Sequence, residues 1–225
     1  MSYENIAIDY IDHVAILKLN APEVLNALSP DMVQELSSAI TDIIQSDARC
    51  LLITGEGRAF CAGANLQPKG AVESLPPAGS VLETHYHPVM TKLRNMEIPM
   101  VSAVNGPAVG VGMSFAVMAD IVVAARSAYF LQAFANIGLV PDGGATHLLP
   151  RIIGWRRAVE LSMLAERLPA ETALDWGLVN RVVDDDKLME EALGLAARLA
   201  NGPRSLGLMR KAYWETFSNL SLIHI

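Results

Sequence analysis

The longest apolar stretch of the sequence, residues 99–125, sets the strongest limit on how this chain can fold. It reads PMVSAVNGPAVGVGMSFAVMADIVVAA and is longer than a membrane-spanning helix requires. However, Asn105, Gly106, Pro107 and Asp120 interrupt it, and the apolar runs between them are short. The pattern therefore predicts a buried strand, a tight turn, a helix that is apolar on every side, and a second buried strand.

Helical patterns and short β-rich runs alternate in the first part of the chain. Strands are predicted at residues 14–20, 49–56, 99–106 and 120–127. The clearest helical pattern covers residues 29–46, with Ser29 as N-cap, Pro30 in the first helical position and Ile44 among the residues of the buried face.

From about residue 155 onward the sequence shows helical patterns and no further strands. Alternating strands and helices followed by helices alone indicate an α/β fold with a helical C-terminal part. We therefore predict a core over residues 1–154 and a helical region over residues 155–225.

Composition limits the class of partner. The chain has 225 residues, of which 52% are hydrophobic and 18% charged, so it can bury a large core. A net charge of -7 argues against a nucleic-acid-binding or anionic-membrane-binding surface. The two cysteines, Cys50 and Cys61, show no disulfide-framework spacing, and the first ten residues show no signal peptide. These features predict a protein of the reducing cytoplasm.

Two glycine-rich corners follow predicted strands. The first corner, residues 57–66, reads GRAFCAGANL, and the second corner, residues 105–112, reads NGPAVGVG. Each leaves backbone N–H groups that neither a strand nor a helix uses, and two converging N–H groups bind a developing oxyanion. Small residues at such corners also simply allow close packing. Neither corner fits the phosphate-binding P-loop, and no complete dinucleotide fingerprint follows the first strand.

A third glycine-rich turn carries one acid. Asp142 lies in the sequence IGLVPDGGATHLLPR, after a proline and before two glycines. Asp favours turns because its side chain bonds to nearby backbone N–H groups. Functional side chains also concentrate in such loops. The local sequence is therefore compatible with a turn-shaping residue and with a catalytic acid/base.

Taken together, these segments resemble the enoyl-CoA hydratase/isomerase (crotonase) family. The matching pieces stand in family order, at residues 20–28, 55–66, 98–125, 137–154 and 168–183. The resemblance implies a crotonase (ClpP-like) spiral of ββα units with a C-terminal helical region that drives oligomerisation into a homotrimer or a dimer of trimers. It also implies an acyl-CoA thioester substrate, with coenzyme A entering as part of that substrate and no permanently bound cofactor. Family members commonly continue with further helices, so the helical region is expected to be short at its C-terminal end.

The resemblance also assigns roles to individual residues. The backbone N–H groups of Ala64 and Val111 would form the oxyanion hole that holds the thioester oxygen as enolate character develops. Substrate and coenzyme A would contact residues of the first three matching segments, together with Phe134, which lies between the third and the fourth: Val24, Leu25, Ala62, Asn65, Leu66, Gly110, Ser114 and Phe134.

Ser114 and Phe134 also mark a departure from the hydratase pattern. They stand where hydratases carry the two glutamates that position and activate water, and neither residue can replace a carboxylate. Asp142 remains as the one carboxylate at a matching catalytic position. We therefore predict an enoyl-CoA double-bond isomerase, or a related ring or double-bond isomerase, that uses Asp142 as acid/base. The alternatives are a hydratase, a thioesterase or a dehalogenase on the same scaffold, and a non-catalytic acyl-CoA-binding protein.

Other candidate groups carry weaker signals. His85 and His87 resemble a metal pair but lack a third ligand at a recognisable spacing, so no metal site is predicted. Cys61 has no assured cationic neighbour that would activate it as a nucleophile. The proline- and glycine-rich residues 66–80 predict a loop that lies over a site or across the surface.

Overall fold

A computed structural model describes residues 3–66 and 82–216 of the chain. Its strands are β1 (Ile6–Ile11), β2 (Val14–Leu19), β3 (Cys50–Gly55), β4 (Met100–Val104), β5 (Ala108–Val109), β6 (Ile121–Ala125), β7 (Tyr129–Leu131), β8 (Leu168–Pro169) and β9 (Arg181–Val183). Its helices are α1 (Pro30–Gln45), α2 (His87–Asn95), α3 (Val111–Val117), α4 (Ala145–Ile152), α5 (Trp155–Leu164), α6 (Ala170–Asp175), α7 (Leu188–Ala200) and α8 (Ser205–Thr216). Most of the predicted loop at residues 66–80 lies outside the described residues.

Six strands form the main sheet in the order β1-β2-β3-β4-β6-β9. The β1–β2 pair is antiparallel, and every other neighbouring pair is parallel. Strands β3 and β4 are buried along their whole length, as expected of parallel strands covered on both faces. The second sheet has the order β5-β7-β8 and brings the second corner beside the chain that follows β6. All four predicted strands are confirmed.

The predictions for α1 and α3 are confirmed with one exception. Ser29 caps α1 by accepting a hydrogen bond from the N–H of Met32 at 3.1 Å. All seven residues of α3 are buried, as its mainly apolar sequence indicated. The exception is Ile44, whose predicted burial is wrong because it is 51% exposed. It lies one residue, and so about 100° around the helix, beyond the buried Ile43.

The C-terminal part contributes strands as well as helices, so the expectation of helices alone is wrong. Strand β9 pairs with β6 at the edge of the main sheet, and β8 pairs with β7. Both strands are too short to show a periodic sequence pattern. Helix α7 packs across β3, β4 and β6, and Ala192, Ala196 and Ala200 belong to the same buried cluster as those strands. Within residues 3–66 and 82–216, no helix is long and apolar enough to cross a membrane.

Arg210 fastens helix α8 to the rest of the molecule. Its side chain is 2% exposed and forms an ion pair with Asp120, with 2.8 Å between Nε and Oδ2. Its other guanidinium nitrogens donate to the carbonyl oxygens of Leu93, Arg94 and Met96, at 2.8 to 2.9 Å. These carbonyls lie at the C-terminal end of α2, so one side chain joins α8, α2 and the turn before β6.

Candidate active site

The two glycine corners meet in the folded chain. The N–H of Val109 donates to the carbonyl of Cys61 at 2.9 Å, and the N–H of Cys61 donates to the carbonyl of Pro107 at 3.0 Å. Gly63 has a φ of +95°, and a Cβ at this position would stand 2.9 Å from the carbonyl oxygen of Val109. Only glycine fits this backbone conformation and this close approach. The sequence predicted two corners, and the structure brings them into direct contact.

A third segment, residues 20–28, runs along the other side of the first corner. The N–H of Ala62 donates to the carbonyl of Leu25 at 2.9 Å, and the N–H of Leu28 donates to the carbonyl of Gly63 at 2.7 Å. The N–H of Asn65 returns to the carbonyl of Leu28 at 3.0 Å. The residues of the 20–28 segment and of the first corner that are predicted to contact substrate or coenzyme A therefore adjoin one another. Two of them are open to solvent, since Val24 is 36% and Leu66 67% exposed.

Asn26 was not identified from the sequence, although it holds this arrangement together. It is fully buried and adopts a φ of +56°, a conformation that Asn tolerates better than most residues. Its Oδ1 accepts from the N–H of Ala21 at 2.9 Å, and its Nδ2 donates to the carbonyls of Glu56 and Ala59 at 2.9 and 2.8 Å. The side chain thus links the 20–28 segment to the first corner. A left-handed Asn in a turn carries no sequence signal that separates it from an ordinary turn residue.

The predicted oxyanion donors lie at the ends of these corners. Val111 opens α3, where the first N–H groups of a helix lack an intrahelical acceptor. Gly110, just before it, has a φ of +54° and donates its N–H to the carbonyl of Leu131 at 2.7 Å. Within the described ranges, neither the N–H of Ala64 nor that of Val111 donates to a backbone carbonyl. Both amides therefore retain their donor capacity.

The Asp142 turn, residues 141–144, packs against α3. Ser114 Oγ donates to the backbone carbonyl of Asp142 at 3.1 Å. A Cβ on Gly143 would stand 2.9 Å from Ser114 Cβ, 3.1 Å from Val111 Cγ2 and 3.3 Å from Met90 Cε. The turn therefore lies directly against Val111, one of the two predicted oxyanion donors, and against helix α2.

The Asp142 carboxyl itself is poorly solvated. Its Oδ1 is buried and has no hydrogen-bond partner among the residues that the structure describes. Burial raises the pKa of Asp142, and electrostatic interaction with His87 opposes that rise. An unpaired buried carboxylate is costly, and carboxyls of raised pKa are typical of acid/base catalysis near neutral pH. The turn-shaping role does not explain an Oδ1 that bonds to no backbone N–H.

Phe134 completes the enclosure of the second corner. It lies in a 3-10 turn (Ala133–Ile137) and is 7% exposed. Its ring atoms would be 3.8 and 3.9 Å from a Cβ on Gly110. The two residues that the resemblance matches to the hydratase glutamates therefore lie in separate places: Phe134 packs over Gly110, and Ser114 donates to the Asp142 turn.

The weaker candidates are also placed. His87 begins α2 and is the histidine whose charge acts on Asp142, so it lies near the Asp142 turn. Burial raises the pKa of the Cys61 thiol to about 12, which makes it a poor nucleophile. In the described part of the chain, no three His, Cys, Asp or Glu side chains are grouped closely enough to hold a metal ion.

Comparison with known proteins identifies the architecture as the crotonase fold. A solved structure from M. smegmatis, described as a monofunctional enoyl CoA isomerase, matches with a TM-score of 0.84 at 30% identity and covers 97% of this chain and 96% of its own. The family model for enoyl-CoA hydratase/isomerase matches residues 10–224, and the chain therefore belongs to the enoyl-CoA hydratase/isomerase family. The fold class and the family predicted from sequence are both confirmed.

Individual relatives carry different reaction names. The 1,2-epoxyphenylacetyl-CoA isomerase of Escherichia coli K12 is 42% identical over 203 residues, which cover 88% of this chain and 78% of the relative. A probable enoyl-CoA hydratase of Rhodobacter capsulatus is 40% identical over 220 residues, which cover 97% of this chain and 84% of the relative. Family membership alone therefore does not define the reaction.

Proposed function

We propose that this protein is an acyl-CoA isomerase that moves a double bond, or rearranges a ring, beside a thioester carbonyl. Asp142 is the acid/base, and the backbone N–H groups of Ala64 and Val111 hold the enolate oxygen. The observation that carries the proposal is the Asp142 carboxyl, whose Oδ1 is buried without a hydrogen-bond partner among the described residues. Asp142 lies in a turn that contacts Val111.

The proposed chemistry needs one carboxylate. For the double-bond shift, Asp142 removes a proton from the α-carbon of a 3-enoyl thioester or from the γ-carbon of a 2-enoyl thioester. The C–H electron pair then moves toward the carbonyl to give a dienolate. The N–H groups of Ala64 and Val111 donate to the enolate oxygen where the charge accumulates. Asp142 then returns the proton to the other end of the conjugated system. No electrons are gained or lost, so the reaction needs no redox cofactor, and coenzyme A enters with the substrate.

Residues around the first corner would hold the coenzyme A part. Val24 and Leu25 adjoin Ala62 through the backbone hydrogen bond between Leu25 and Ala62. Asn65 and Leu66, at the end of the first corner, would join them on the exposed side of that corner. The names of the E. coli and M. smegmatis relatives support an isomerase, while the R. capsulatus relative keeps hydration as the alternative.

Deuterium exchange distinguishes these reactions. The protein is offered linear 2-enoyl-CoA and 3-enoyl-CoA thioesters, and a ring-epoxide CoA thioester, in D2O, with products followed by mass spectrometry and NMR. We expect a shifted double bond with deuterium at the α- or γ-carbon, or a rearranged ring of unchanged composition, and no added water in either product. A 3-hydroxyacyl product would favour a hydratase, and free acid with free thiol a thioesterase. Saturable binding without turnover of any ester would favour a non-catalytic acyl-CoA-binding protein.

We also propose that the chain assembles as a homotrimer or a dimer of trimers. Large apolar side chains are exposed on α5 and in the segment before α4, including Val140 at 80%, Trp155 at 72% and Met163 at 73%. Exposed apolar surface of this kind is typical of an interface between proteins. Sedimentation velocity is expected to show a species of three or six chains, and a monomer at micromolar concentration would contradict the proposal.

A further inference from the structure

We propose that Ser114 is the positioning residue for the catalytic carboxylate: through its hydroxyl and its contact with Gly143, it fixes the Asp142 turn on helix α3. Only the expected effect of Ser114 on the reaction rate rests on the proposed function. The fixing of the turn itself is a structural claim that can be tested without turnover.

The first support is the hydrogen bond. Ser114 is fully buried, and its Oγ donates to the backbone carbonyl of Asp142 at 3.1 Å. A hydroxyl at an all-apolar helix is costly to bury unless it is bonded, and this acceptor meets that need. The bond leaves the Asp142 side chain untouched, so Ser114 restrains the backbone of the turn and leaves the carboxylate available to a substrate.

The second support is the close contact at Gly143. A Cβ at this residue would stand 2.9 Å from Ser114 Cβ and 3.1 Å from Val111 Cγ2, so the glycine backbone rests directly on both side chains. Gly143 also has a φ of +58°, which L-residues rarely adopt. A larger residue at either Gly143 or Ser114 would push the turn away from α3.

The two contacts give Ser114 a role in the geometry of the reaction. Val111 and Ser114 are three residues apart on α3 and therefore lie on the same face of the helix. One helical turn thus carries the oxyanion donor and the support for the base. This arrangement fixes the separation between the developing negative charge and the proton acceptor, which catalysis requires to within fractions of an ångström.

The site also supplies a matched control. Ser102 on β4 is likewise fully buried, but its Oγ has no hydrogen-bond partner among the described residues. Ser114→Ala and Ser102→Ala therefore remove the same atom from the same kind of environment. Only Ser114→Ala releases the Asp142 turn. For the glycine contact, Gly138→Ala serves as control for Gly143→Ala, since Gly138 has a φ of +70° but no neighbour within 4 Å of an added Cβ.

The decisive measurement is a carboxyl NMR titration of Asp142, assigned by the signal that Asp142→Asn removes. Burial raises the pKa of Asp142, and the charge of His87 on α2 opposes that rise. In Ser114→Ala the released turn becomes more exposed to solvent. The carboxyl of Asp142 is therefore expected to titrate at a lower pH than in wild type and in Ser102→Ala. Identical titration in all three proteins would overturn the inference, whatever reaction the protein catalyses.

Kinetics provide the second readout. Loss of one hydrogen bond that holds the base is expected to lower kcat about tenfold with little change in KM. The acidic limb of the kcat–pH profile should move with the NMR titration. Ser102→Ala should retain the wild-type kcat and profile, and Gly143→Ala should lose more activity than Gly138→Ala. An inactive Asp142→Asn beside a fully active Ser114→Ala would overturn the positioning role alone, whereas a fully active Asp142→Asn would overturn the proposed function.

Discussion

Replacing Asp142 by asparagine is expected to lower kcat for isomerisation about a thousandfold while leaving the affinity for a CoA thioester nearly unchanged. Asparagine has the shape of aspartate but cannot accept a proton from carbon and return it. The backbone donors of Ala64 and Val111 are unaffected, so ground-state binding persists. Steady-state kinetics give kcat, and calorimetry with a non-isomerisable saturated acyl-CoA gives the affinity.

Asp12→Asn is a suitable control for this variant, because Asp12 is an exposed turn residue in the β1–β2 hairpin. It should retain the wild-type rate. If Asp142→Asn does so as well, the assignment of the base is wrong, and His87 becomes the next candidate because its charge acts at the same place.

The burial of Asp142 makes both the stability of the fold and the reaction rate depend on pH, because it raises the pKa of this carboxyl above the ordinary value of 3.8. A carboxyl with a raised pKa in the folded state stabilises the fold below the unfolded pKa and loses that contribution as the pH rises through the folded pKa. Once ionised, Asp142 therefore costs stability. We expect Asp142→Asn to unfold at the same or a higher temperature than wild type at pH 7, with any gain disappearing at acidic pH. The rate of wild-type isomerisation should rise with pH over the same range, because the base must be ionised.

Local sequence patterns identified the parts of this fold that depend on local chemistry. The buried helix α3 and the four core strands follow from mainly apolar runs, and Ser29 follows from the preference for serine at an N-cap. The strands β8 and β9 did not emerge, because two or three residues carry no period and their pairing depends on distant partners.

The site residues also fall into two groups, those that the sequence predicted and those that only the folded structure identifies. Resemblance pointed to Ala64, Val111 and Asp142, but the roles of Asn26 and Ser114 became visible only from contacts between residues far apart in the chain. Asn26 reaches Ala59, and Ser114 reaches the carbonyl of Asp142. A sequence states which side chains are present, whereas a hydrogen bond across 28 positions is a property of the packed core.

Removing the Arg210 side chain is expected to cause the largest loss of stability, because it leaves several buried groups without partners. Arg210→Met keeps the volume and removes the ion pair with Asp120 and the donors to the carbonyls of Leu93, Arg94 and Met96. Loss of one partner of a buried pair typically costs about 3–5 kcal/mol in the free energy of unfolding. Urea denaturation measures this as a lower midpoint.

The adjacent Lys211 provides the matched control. Its ion pair with Glu97 spans 3.2 Å, and the two side chains are 52% and 65% exposed. Exposed pairs contribute about 0–1 kcal/mol, so Lys211→Met should change the midpoint little. Equal losses in the two variants would contradict the assignment of Arg210 as the residue that fastens α8.

The pH dependence of the Arg210→Met variant identifies the cause of its loss. Burial raises the pKa of Asp120 even though Arg210 opposes the rise, so without Arg210 the folded pKa of Asp120 must rise further. The destabilisation should therefore grow as the pH rises through that folded pKa and shrink in acid, where Asp120 is protonated. Adding Asp120→Asn to Arg210→Met should recover part of the lost stability at pH 7, since it removes the uncompensated charge. Because the three carbonyls end α2, which also carries Met90 and His87 toward the Asp142 turn, the single variant should lose isomerase activity at temperatures below its unfolding midpoint.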